Sequence, residues 1–314
     1  MFQTKFSKPS SQAELLLEDP AWFDNKICLA QLRPNALHKN QLYCIMFFSC
    51  LDLHNKGINM RTEIVTVPCL ADNYAYIIHD KSSNKNSLID APQAGPILKA
   101  LKEKGWSLDF ILITHHHSDH IDAIEELKAL FDPIIFGAQK DVHRLPKLDV
   151  SLSDKEKFST GGLIFKCFEV PGHTSGHLAF YCQSEGIAFT GDSLMAMGCG
   201  RLFEGSPAEM FKSLQKLISL PDDTMVYSGH EYSAQNAKFA MEIEANNQDL
   251  VERAKIIFKN DTLQIPNVPV SLKLEKSTNP FLRVNSIEIQ KKLKMIGKKD
   301  SDIFAKLREM KDCF

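Results

Sequence analysis

The chain contains no uninterrupted apolar run of 18 or more residues, so no membrane-spanning helix is expected. The nearest candidate, the apolar stretch from Tyr43 to Leu51, is too short. There is no surplus of positive charge either. Lys and Arg number 37 against 39 Asp and Glu, a formal charge of −2. A broadly basic surface for nucleic acid is therefore not expected. None of the eight cysteines forms a CxxC pair and the start does not look secretory, so reduced thiols in the cytoplasm are expected rather than a disulfide framework. Internal repeats and low-complexity blocks are missing. Residues 1–59 also lack any sustained hydrophobic period and are broken by Pro9, Pro20 and Pro34. They read as a poorly ordered N-terminal extension or a start-site artefact, with Met60 as the expected start.

What is present reads as a soluble globular chain of 314 residues, 44% apolar and 24% charged. From Glu63 onward, short apolar runs alternate with helical stretches. Strands are expected at Ile64–Pro68, Tyr74–His79, Ser87–Asp90, Phe110–Thr114, Ile134–Phe136, Leu163–Val170, Leu178–Cys182, Gly186–Thr190 and Thr224–Ser228. Helical spacing marks Gly95–Lys104 and Ile124–Phe131. This pattern predicts a layered α/β domain over 60–232. After Tyr232 the strands are expected to stop. Helices are expected at Ser233–Glu244, Asn247–Phe258, Ile287–Ile296 and Asp302–Lys311, with a segment punctuated by Pro266, Pro269 and Pro280 between them. The small helical domain is thus expected to be 233–314.

Four of the expected strands run directly into histidine or aspartate. Phe110–Thr114 leads into the stretch HHHSDH, His115 to His120; Leu163–Val170 leads into Pro171-Gly172-His173; Gly186–Thr190 into Gly191-Asp192; and Thr224–Ser228 into Gly229-His230. Ligand sites form beyond one end of the strands in layered sheets, so one shared site is expected. In an extended segment residues i and i+2 point the same way. His115 and His117 can then face one ion while His116 turns elsewhere, and Asp119 and His120, past the turn, can reach a second. Imidazole nitrogen and carboxylate oxygen suit borderline divalent metals. Five histidines and two aspartates exceed what a single tetrahedral ion needs. They fit a pair of ions about 3.5–4 Å apart that share a carboxylate. His177 reads as a residue that orients a ligand. His38, His54, His79 and His143 have no comparable context.

THHHSDH matches the T-H-x-H-x-D-H signature of the metallo-β-lactamase superfamily. PCLADNYAYII, PGHTSGH, FTGDSLMAMGCGRLFEG, SGHEYSAQNAKFA, TNPFLR and LREMKD narrow the likeness, and the chain from about Glu63 to its end resembles glyoxalase II, the hydroxyacylglutathione hydrolases. The resemblance implies an αββα sandwich followed by a small all-helical C-terminal domain. It implies that His115, His117 and His173 hold one divalent metal, that Asp119, His120 and His230 hold another, and that Asp192 bridges them. Zinc is the expected metal, with iron or manganese as alternatives. Arg308 and Lys311 match the family's basic pair for the glycine carboxylate of glutathione; Arg201 and Tyr232 match further substrate contacts. The implied reaction is hydrolysis of S-(2-hydroxyacyl)glutathione, typically S-D-lactoylglutathione, by water ionised between the metals. Asp119 and Asp192 are the expected catalytic carboxylates, and the expected chain is a cytoplasmic monomer serving methylglyoxal detoxification. The rival readings are a single-iron persulfide dioxygenase or another hydrolase of this fold. Two positions depart from the family pattern. Asp122-Ala123-Ile124 stands where many relatives have Gly-Gly-Asn, and Phe203 stands where tyrosine is common.

Overall fold

The apolar alternation that begins at Thr62 opens a six-stranded sheet. A computed structural model describes residues 61–314; the expectations for 1–59 and Met60 lie outside the described residues. Strands β1 (Thr62–Cys69) and β2 (Asn73–Asp80) form an antiparallel hairpin, and β3 (Lys85–Ile89) pairs antiparallel to β2. Next come β4 (Phe110–Leu112), β5 (Ile134–Ala138) and β6 (Val150–Leu152), each parallel to its predecessor. Parallel strands need crossovers. Helix α1 (Ala94–Lys104) links β3 to β4 and α3 (Ile124–Phe131) links β4 to β5, the short α2 (Ser118–Ile121) preceding it. Ile111, Leu112 and Ile113 are fully buried, as a strand covered on both faces requires.

The second sheet has the order β14-β13-β10-β9-β8-β7. Its strands are β7 (Lys157–Thr160), β8 (Leu163–Glu169), β9 (Leu178–Cys182), β10 (Ile187–Gly191), β13 (Met225–Ser228) and β14 (Val270–Ser271). Only β10 and β13 pair in parallel among these neighbours. Between them lie a two-stranded ribbon, β11 (Leu194–Met195) with β12 (Gly198–Cys199), and helix α4 (Pro207–Ile218). Aromatic side chains fill the space between the sheets. Tyr76 of the first packs 5.5 Å from Phe189 and 5.2 Å from Tyr227 of the second, and its hydroxyl donates to the Ser228 carbonyl. With helices outside both sheets, the architecture is the αββα sandwich.

Helices α5 (Ser233–Ile243), α6 (Gln248–Leu263), α7 (Leu272–Thr278), α8 (Ile287–Lys292) and α9 (Asp300–Asp312) complete the chain. The expectation that strands end at Tyr232 is corrected here: β14 lies within the helical region and extends the second sheet through β13. A two-residue strand carries too little sequence to show a period. Helix α4 was also missing from the sequence reading, although it is well marked. Ser206 and Glu209 form a capping box and Pro207 sits at the first helical position. Phe211 of α4 packs 5.8 Å from Phe304 of α9, which seats the last helix on the sandwich. Among the described residues no helix is long and apolar enough to cross a membrane.

Candidate metal centre

Both sheets contribute to one cluster. The end of β4 supplies His115, His117, Asp119 and His120; the ends of β8, β10 and β13 supply His173, Asp192 and His230. Three ligand groups result: His115 with His117 and His173; His115 with His120 and Asp192; and Asp119 with His120 and His230, their ligating atoms within 4.8 Å of one another in each. His117 Nδ1 lies 3.1 Å from His115 Nε2 and 3.0 Å from His173 Nε2. His120 Nε2 lies 3.3 Å from His230 Nε2. Asp192 sits at the centre, its Oδ2 3.4 Å from His173 Nε2 and 3.2 Å from His230 Nε2, its Oδ1 3.6 Å from His120 Nε2.

Hydrogen bonds on the far side of each ring fix which nitrogen carries the proton. His173 Nδ1 donates to the Arg201 carbonyl at 2.7 Å. His230 Nδ1 donates to Asp72 and His120 Nδ1 to Asp90, both at 2.8 Å. Thr114 Oγ1 donates to Asp90 at 2.7 Å, so toward His115 Nδ1, 3.0 Å away, it can only accept. The Nε2 atoms of these four rings therefore face the cluster, each a lone pair whenever its ring is neutral. Two such lone pairs 3.3 Å apart, those of His120 and His230, repel unless a proton or a metal ion lies between them. Asp192 Oδ1 is buried without a hydrogen-bond partner, which is costly in the same way. The donor set fits divalent metal, and imidazole and carboxylate suit zinc, iron or manganese.

Electrostatics divide the set. Burial pulls His120 and His230 down, but Asp192, with Asp90 and Asp72 behind, outweighs it and holds both above the ordinary imidazole range, so a metal ion there would displace a proton. Burial, then neighbouring histidines, hold His115 well below the ordinary imidazole range and pull His117 down to about 4. Burial lowers His173 as well, against the pull of Asp192. These rings are neutral at pH 7, the state that binds a metal. Burial of Asp192 favours its protonated form, but His120 and His230 outweigh that and keep it ionised.

Supporting residues hold the cluster rigidly. His177 is buried, stacks on His115 at 4.7 Å and accepts the Asp192 backbone N–H at 3.0 Å, which holds the Asp192 backbone in place. Asn73 Nδ2 donates to Asp119 Oδ2 at 2.9 Å. Gly191 has φ +47°, and a Cβ there would lie 2.8 Å from both His177 Cε1 and Thr114 Oγ1. At Gly229 a Cβ would fall 2.4 Å from Asp192 Oδ1. His116 does turn away: its ring lies 3.6 Å from both Asp141 and Glu204, carboxylates that Arg144 braces. The departure at Asp122-Ala123 is harmless, since both residues take right-handed helical conformations that need no glycine. Of the remaining histidines, His79 stacks on Trp106 and His143 is exposed; His38 and His54 lie outside the described residues.

The expected substrate contacts lie on the C-terminal side. Tyr232 stacks on His230 at 4.8 Å and 8°. Arg308, on α9, is buried. Its Nη1 donates to the Cys199 carbonyl at 2.9 Å, and its Nε and Nη2 donate to Asp312. Lys311 Nζ donates to the Gln235 carbonyl at 3.3 Å. Arg201 touches both regions: its carbonyl holds His173, and its exposed Nε lies 3.6 Å from Asp312 Oδ1. Phe203 stands edge-on to His117 and His173, at 5.4 and 5.2 Å. The sequence reading missed Asp72, Asn73, Asp90 and Asp312. For Asp90 the signal was present, since β3, like the other four strands, runs straight into an acidic or imidazole side chain.

A two-sheet sandwich whose facing strand ends converge on histidines and aspartates defines the metallo-β-lactamase superfamily, and residues 74–230 match that family's description. The remaining residues 231–314 match the hydroxyacylglutathione hydrolase C-terminus. A hydroxyacylglutathione hydrolase from Ruegeria pomeroyi is 50% identical over 255 residues, covering 81% of this chain and 100% of the relative. The chain belongs to the hydroxyacylglutathione hydrolase family. Among solved structures, BLEG-1 B3 metallo-beta-lactamase shares the fold at TM-score 0.55 and 22% identity, over 70% of this chain and 99% of that one. TTHA1623 in a di-iron-bound form aligns at TM-score 0.51 and 25% identity, over 70% of this chain and 100% of that one.

Proposed function

We propose that this protein hydrolyses S-(2-hydroxyacyl)glutathione thioesters, with S-D-lactoylglutathione as the typical substrate, releasing a 2-hydroxy acid and glutathione. In a cell this would remove the thioester formed from methylglyoxal. The observation that carries the reading is the convergence of five histidines and two carboxylates beside a cluster of cationic side chains. In this reading His115, His117 and His173 would hold one divalent ion, Asp119, His120 and His230 would hold another, and Asp192 would serve both. The di-iron form of TTHA1623 supports a paired centre, and zinc suits the donor set equally. When bound, the ions supply a water of lowered pKa and a Lewis acid for the thioester carbonyl.

The chain's own groups do the rest. Asp119 Oδ2, anchored by Asn73, faces the cluster 3.4 Å from His230 Nε2 and is placed to orient the attacking water. The leaving group is a thiolate, so no strong acid is required at the sulfur. Phe203 walls the cluster beside His117 and His173, where the acyl group must lie. Residues 233–314 form the glutathione-binding part. Arg308, Lys311 and Arg201 supply the charge for the peptide carboxylates, and Tyr232 a hydroxyl. Anchoring that remote end orients the carbonyl for attack. A single-iron dioxygenase would leave the Asp119, His120 and His230 group without a role, which favours the hydrolase. Purified protein is expected to cleave S-D-lactoylglutathione without consuming oxygen. Oxygen uptake with glutathione persulfide, and no thioester cleavage, would overturn the reading.

A further inference from the structure

Arg308 is a carboxylate ligand in the reading above, yet the edge of its guanidinium that fits a carboxylate is already filled. Arginine meets carboxylates through paired N–H groups in a fixed fork. Arg308 Nε and Nη2 form such a pair, and both donate to one atom, Asp312 Oδ1, at 3.1 and 2.8 Å. The same oxygen lies 3.6 Å from Arg201 Nε. Lys311, the neighbouring residue, rests over the Phe239 and Phe314 rings at 5.5 and 5.1 Å. The exposures of the two paired groups differ sharply. The Arg308 side chain is 6% exposed and the Asp312 side chain 37%. A buried cation needs a partner at all times, whereas a carboxylate at the surface can swing into water at little cost.

We propose that Asp312 is a resident counter-ion of the substrate site: it neutralises Arg308 and Arg201 when the site is empty, and the carboxylate of an incoming anionic thioester displaces it. The inference rests on the proposed reaction. It makes Asp312 a specificity-determining residue. A thioester without a carboxylate cannot replace what it removes, so it gains nothing at Arg308. After turnover, return of Asp312 helps to release the thiol product. Arg308 Nη1 keeps its own acceptor, the Cys199 carbonyl, throughout the exchange, and the adjacent Gly200 N–H donates to the Ser193 carbonyl, next to Asp192.

The test compares metal-loaded wild type with Asp312→Asn and Asp312→Glu. With S-D-lactoylglutathione, Asp312→Asn is expected to lower KM about five- to tenfold, with kcat unchanged or reduced by slower product release. The affinity for free glutathione, measured by calorimetry, should tighten by a similar factor. Asp312→Glu should return both toward wild type. Hydrolysis of S-lactoyl-N-acetylcysteamine, which carries no carboxylate, should be indifferent to the change. An unchanged or raised KM and an unchanged or weakened glutathione affinity in Asp312→Asn would overturn the inference. If wild type cleaved no glutathione thioester the proposed reaction would fall, and the calorimetric comparison would still decide the role of Asp312. Absence of glutathione binding in both proteins would overturn it.

Discussion

The metal centre and the cationic cluster at α9 sit on opposite sides of the loop around Arg201 and are built on different principles. The first draws its residues from four strand ends in two sheets, buries five of the seven, and ties the outer nitrogen of four imidazoles to a fixed acceptor. The second takes its charges from one helix and one loop, leaves Arg201 exposed and Lys311 half-buried, and keeps an exchangeable anion in place. In the proposed reading, chemistry that needs closely aligned lone pairs falls where side chains are buried and hydrogen-bonded, and recognition of a flexible peptide falls where they are exposed.

That contrast predicts a graded series of effects. Asp192→Ala should be the most severe, because it removes the central carboxylate and leaves His120 and His230 unopposed. Metal content should fall and kcat/KM drop by about a thousandfold or more, several kcal/mol of lost stabilisation. Retention of metal with a near-normal rate would contradict the bridging role. Asp90→Asn acts on His120 directly and on His115 through Thr114, and Asp72→Asn acts on His230; each should cost about 10- to 100-fold in metal affinity, and equilibrium metal titration would show it. Lys311→Ala should raise KM about tenfold and spare kcat, the value of one charge-assisted hydrogen bond. A fall in kcat with KM unchanged would erase the distinction between the regions. The smallest effect is pH-dependent. Burial, then the nearby Arg308 and Arg201, pull Lys311 from the ordinary lysine range to about 8. The amine is charged below that pH and loses its proton above it, so KM should rise between pH 8 and 9 in wild type and stay flat there in Lys311→Ala.

The same contrast explains what the sequence made legible. Periodicity found the long central strands and α3 to within a few residues, because burial on both faces leaves uninterrupted apolar text such as Phe110–Ile113. It missed β6, β7, β11, β12 and β14, each of four residues or fewer, whose pairing is dictated by neighbours rather than by their own pattern. The clustered residues were visible because histidine and aspartate at strand ends are uncommon and their spacing is informative. Asp72 and Asn73 were not, because they act across the fold: Asp72 meets His230, 158 positions away, through tertiary packing alone. Arg308 and Lys311 were picked out by likeness to the family, but no periodicity could show that Arg308 is buried against Cys199 and already paired with Asp312.

The central claim is a paired cation centre that drives thioester hydrolysis. Its most direct test is elemental analysis and S-D-lactoylglutathione hydrolysis on one preparation, during stepwise reloading after chelation. The account predicts binding of two divalent ions per chain, with activity returning as the ions are restored. Full hydrolytic activity in protein free of metal, or binding that ends at a single ion with no loss of rate, would contradict it.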